Sequence, residues 1–101
     1  STISDINRAY KLGWIVKKSA RDDLIKSVKK ATKLIQRADN LEEKFANEPG
    51  VLEKIEKIEK KLDIKLGKLI LNKLDKLKKK GVINQQAHDT LYADISWLIN
   101  N

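Results

Sequence analysis

Cysteine and methionine are absent from this 101-residue chain, histidine and proline occur once each, and only four glycines and five aromatic residues are present. Without cysteine there is no disulfide framework, and a single histidine cannot supply the usual zinc ligand sets, so the fold must rest on its apolar core. Apolar runs are short as well. None exceeds three residues, as in Trp14–Val16 and Leu69–Leu71, whereas a membrane-spanning helix needs about 20. No secretory signal is legible, so a soluble protein is expected and its compartment is left open. Also missing are a glycine-rich phosphate loop, a metal-binding His-Glu-x-x-His helix and a nucleophile elbow. These absences predict a protein that is not an enzyme, with no cofactor, no metal and no small-molecule substrate.

What is present is charge and periodic apolar residues. Charged residues make up 36% and hydrophobic ones 41%, with 22 Lys plus Arg against 14 Asp plus Glu, a net charge of +8. Cut at Gly50, each half holds 11 cations and 7 anions, +4 apiece, so there is no basic tail. An excess built into the folded body favours an anionic partner: a nucleic acid, an acidic protein or a lipid surface. A solvated face that keeps the protein dissolved gives the same count.

The periodicity is helical throughout and no strand pattern occurs, which predicts an all-α, compact antiparallel bundle of four helices in one domain. Ile6, Tyr10 and Trp14 recur every four residues and predict a first helix over residues 5–18. Ser19 and Asp22 have the spacing of a capping box, so a second helix starts there unless the chain runs on through a kink. Apolar positions 24, 28, 31, 35, 38, 41 and 45 carry it to about residue 46. The "NEPG" of residues 47–50 is then a tight turn, with Asn47 as cap and Pro49 in the first helical turn, and Phe45 should meet the residues after Val51 across it. Residues 51–80 form the third helix. Leu62, Leu66, Ile70 and Leu74 are spaced by four, so their stripe rotates by about 40° at each step. Its ends therefore face different neighbours, or a bend near Asp63–Gly67 makes five helices. Lys78–Lys80 and Gly81 form a helix end, Asn84 caps the last helix, and Ala87, Leu91, Ile95 and Leu98 share its inner face. Val28, Ile35 and Leu91 are expected in the core.

Chemistry-bearing residues are few. His88 reads as a surface or half-buried residue, because its sequence neighbour Asp89 points about 100° away on a helix. Glu53, Glu56 and Glu59 alternate with lysines that neutralise them, and Asp22 and Asp23 sit in a first helical turn where the dipole explains them. Lys26, Lys29, Lys30, Lys33 and Arg37 fall within an arc of about 100° on the second helix and could track a phosphate backbone. Lys65, Lys68, Lys73, Lys76, Lys78, Lys79 and Lys80 form a second basic patch. Trp14 and Trp97, in the first and last helices, read as core anchors, with an exposed interface role as the alternative.

The stretch LDKLKKKGVINQQAHDTLYADI, residues 74–95, resembles the hairpin of short C-terminal oligomerisation modules of bacterial proteins through Leu74, Leu77, Gly81, Ile83 and the cap at Asn84. It departs from them at Gln85, Gln86, Ala87 and His88, where those modules carry acidic and aromatic residues. In overall plan, a basic, cysteine-free body of four helices is also similar to immunity proteins of small bacteriocins. The expected function is a binding or assembly module that acts by protein–protein interaction or self-association, through apolar surface that the rotating stripe of helix three leaves uncovered. The alternative is sequence-independent nucleic-acid binding through the basic faces; a weaker one is an immunity-like role at an anionic membrane surface.

Overall fold

A computed structural model describes the backbone of residues 1–100 and the side chains through Leu98. The chain is an all-α bundle of four helices: α1 (Thr2–Lys11), α2 (Lys18–Lys44), α3 (Pro49–Lys79) and α4 (Gln85–Asn100). Each helix packs on two others in a ring, α1 on α2, α2 on α3, α3 on α4 and α4 on α1. The expectation of four helices holds, and α3 runs through Gly67 without a break.

Helix one is shorter than the four-residue spacing of Ile6, Tyr10 and Trp14 implies. It ends at Lys11, because Gly13 takes φ +77° and the Trp14 N–H donates back to the Ala9 carbonyl at 2.9 Å. The same turn recurs at the end of α3, where Gly81 sits at φ +74° and the Val82 N–H reaches the Leu77 carbonyl at 3.0 Å. Only glycine holds this left-handed conformation without strain. Each glycine is followed two residues later by a buried isoleucine, Ile15 and Ile83, and the two segments pair antiparallel. Val16 donates to the Val82 carbonyl and Asn84 to the Trp14 carbonyl, both at 2.9 Å. The corners α1–α2 and α3–α4 are thus the same device used twice and stitched together.

The capping box at Ser19 does not form: α2 begins after Lys17, with no side-chain cap. Glu48 rather than Asn47 precedes α3, with Pro49 in its first turn as expected. Asn84 does cap α4, its Oδ1 accepting the Ala87 N–H at 2.9 Å.

The helices differ greatly in length, and this sets the shape. At about 1.5 Å per residue a 31-residue helix spans nearly the whole long axis of the 49 × 19 × 18 Å molecule. Helices α1 and α4, of 10 and 16 residues, cover only one end of the α2–α3 hairpin. The core lies there: Ile6, Ile15, Leu24, Leu74, Leu91 and Ile95 are fully buried. Among the described residues, none between Ala31 and Gly67 is buried. Ile35, expected in the core, is half-buried for this reason. Beyond the core the hairpin projects alone, joined by a half-buried seam in which Phe45, Leu52 and Ile55 lie near the turn.

Candidate functional site

Base and hairpin differ in charge. Residues 32–66 hold eight Lys plus Arg and eight Asp plus Glu, a net charge of zero; the remainder holds 14 against 6, so the whole +8 resides in the base. Cutting the sequence at the turn hides this, because a hairpin lays its two halves side by side.

The side of α2–α3 opposite α1 and α4 is bare. At the base it forms an open groove of about 430 Å³, lined by Ser27 and Lys30 from α2 and by Leu66, Leu69, Lys73 and Lys76 from α3. Positions 7 or 11 residues apart on a helix share a bearing to within about 20°. Leu69 therefore continues to Ile58 and Val51 on α3, and Ser27 to Leu34 and Leu41 on α2. Ile58 is 67% exposed, Leu69 59%, Leu41 45% and Val51 40%. Along the outer flank of these apolar rows, offset by only about 20–60° and in part interleaved with them, lie Lys30, Arg37 and Lys44 at seven-residue spacing and Lys54, Lys65 and Lys76 at eleven, all exposed. Among the described residues the single carboxylate on these bearings is Asp23, which Lys73 holds at 2.9 Å. Sequence reading grouped these lysines by helix and missed the paired rows, although the spacings of 7 and 11 were there to be counted.

Lys26, Lys29, Lys30, Lys33 and Arg37 are all exposed, and none forms an ion pair with a described residue. Lys65, Lys68, Lys76, Lys78, Lys79 and Lys80 are exposed as well. Lys73 is different: besides Asp23 it donates to Ser27 Oγ at 2.9 Å, tying α3 to α2. Asp22 and Asp23 likewise lie beyond the first turn of α2, held by Arg21 and Lys73 rather than by the dipole. Trp14 packs half-buried on the core from the α1–α2 corner. Trp97 is 65% exposed and is no core anchor.

His88 is more engaged than its sequence neighbours suggest. Its Nε2 lies 2.7 Å from Asp75 Oδ1 on α3 and its Nδ1 3.0 Å from Asp89 Oδ1. These hydrogen bonds, Asp75 first, raise its pKa against the opposing effects of burial and Lys78. Asp89 is lowered by its bonds from Gln85 and His88. The cluster clamps α4 to α3. Neither ring nitrogen meets a hydroxyl or thiol that it could activate.

Two carboxyl pairs cross helix interfaces. Glu59, expected beside lysines, faces Glu42 across the hairpin seam. Burial, a carboxyl–carboxyl hydrogen bond with Glu42, and the charges of Glu42, Asp39 and Asp63 push it up to about 7. Asp63 rises too, through burial and then the charges of Asp39 and Glu42. Oxygens of Asp39, Glu42 and Glu59 lie within 4.8 Å of one another, a spacing that a cation or a shared proton can satisfy. At the base Asp94 is pushed up to about 6 by burial, a hydrogen bond with Asp5 and that residue's charge.

Compared with protein-family models, curated proteins and solved structures, the chain matches none. No described helix is long and apolar enough to cross a membrane.

Proposed function

We propose that this chain is a non-enzymatic binding module that acts by protein–protein contact through the bare outer face of the α2–α3 hairpin. One observation carries the reading. Leu41, Val51, Ile58 and Leu69 are large and exposed, their helix bearings set them on one side of the hairpin, and exposed apolar side chains gathered in this way mark an interaction surface. A photo-crosslinking residue at position 69, compared with one at position 29, which is exposed and lies about 160° around α2 from Ser27, tests it in cell extract. Protein adducts at 69 and none at 29 are expected; the reverse would overturn it.

The second reading is sequence-independent binding of nucleic acid by Lys26, Lys29, Lys30, Lys33 and Arg37, favoured by their exposure and by their forming no ion pair with a described residue. It requires affinity for duplex DNA that falls with salt at a log–log slope of about −0.9 per phosphate contacted. Lys29→Glu with Lys33→Glu should then flatten the slope by roughly 2. Absence of binding at about 50 mM salt, where such contacts are strong, eliminates this reading.

A further inference from the structure

We propose that the outer groove receives an amphipathic α-helix whose apolar stripe is flanked by aspartate or glutamate; this rests on the protein-contact reading above and names the partner's chemistry. The face has what helix-in-groove recognition requires: apolar rows running along two helices, concave at the base where Ser27 and Lys30 stand across from Leu66 and Leu69, with specificity supplied at the edges. From Val51 to Leu69, the end that lies in the groove, the apolar row is about 27 Å long, the length of an 18-residue helix. Its rims are cationic on both sides, Lys30, Arg37 and Lys44 facing Lys54, Lys65 and Lys76, and Lys73 neutralises the one carboxylate between them. A partner with acids on both flanks of its stripe meets both rims at once.

Other occupants fit less well. A second copy docked face to face sets lysine against lysine along both rims, and like charges across an interface are strongly unfavourable. Nucleic acid offers nothing to cover Ile58 and Leu69. A bilayer surface is flat and cannot fill a groove between two helices, and neither α2 nor α3 carries the Trp or Tyr that anchors proteins at a membrane interface.

The test uses the full chain and two labelled 18-residue peptides with the same leucine stripe, one flanked by glutamate and one by lysine. Binding is read by fluorescence anisotropy at low and high salt. The glutamate peptide should bind at least tenfold more tightly at low salt, with the preference shrinking at high salt. Lys30→Glu with Lys65→Glu should reverse the preference. Leu69→Asp should weaken both peptides at least tenfold while leaving the thermal melt unchanged. Equal affinity for the two peptides, or indifference to Leu69→Asp, would overturn the proposal. So would binding only to anionic phosphatidylglycerol vesicles, or self-association that Leu69→Asp abolishes. If neither peptide binds, the acidic helix is ruled out; protein adducts at position 69 would then show that the contact face itself survives, and their absence that both ideas fail.

Discussion

The same two helices behave differently at their two ends. At the base, α2 and α3 are covered by α1 and α4, and this end of the molecule holds all the buried residues among those described and the full net charge; beyond Ala31 and Gly67 the two helices continue with half-buried seams, no net charge and carboxylates facing one another. Burial explains the base. The projecting hairpin is held by a narrower apolar seam and by the helix propensity of its Leu, Lys and Glu residues, each worth only tenths of a kcal/mol. A region built this way is where local opening and binding are expected.

Truncation of the core should separate the two regions most. Leu74→Ala, at a fully buried site, is expected to cost about 2–5 kcal/mol, whereas Ile35→Ala in the half-buried seam should cost about 1. Urea unfolding of both variants would show it, and equal losses would erase the distinction.

Glycines give the next contrast. Gly81→Ala should cost about 1–2 kcal/mol from its positive φ alone, since an added Cβ meets nothing within 4 Å. Gly50→Ala, in open space on the hairpin, should stabilise by about 0.5 kcal/mol. Thermal melts check both signs.

A smaller effect is expected from pH. Glu59 in the fold titrates at about 7, above its ordinary 4.5, and Asp94 at about 6, above 3.8. The folded chain therefore keeps protons that the unfolded chain releases, and this stabilisation, complete below the ordinary values, is lost as pH rises through the raised ones. His88 acts in the same direction: its raised pKa gives stability present below 6.5 and lost as pH rises through the folded value. Stability should fall between pH 5 and pH 8, with Glu59→Gln removing about 1 kcal/mol of that slope after solvent screening. A rise over this range would contradict the carboxyl pairs. Smallest of all, Lys73→Ala should cost under about 1 kcal/mol, as expected of a partly exposed ion pair.

Much of this architecture is legible in the sequence wherever the cause is local. Pro49 at a helix start, Gly81 at a helix end, Asn84 as a cap and the inner face Ala87–Leu91–Ile95 follow from chemistry within a few residues. Where the cause is distant the reading fails. Gly13 sits inside a convincing helical period, yet its segment is taken by Val82 and Asn84 on the far side of the chain. Glu59 is surrounded by lysines in sequence and by carboxylates in space. His88 meets Asp75, which lies 13 residues away on another helix.

Site-resolved hydrogen exchange of the full chain, alone and with the glutamate-flanked peptide, tests the central claim most directly. In the free chain, amides within residues 32–66 should exchange through local opening, well before those of the base. Peptide should slow exchange along the hairpin and leave α1 and α4 unchanged. Uniform exchange in the free chain, or protection that falls on the base instead, would contradict it.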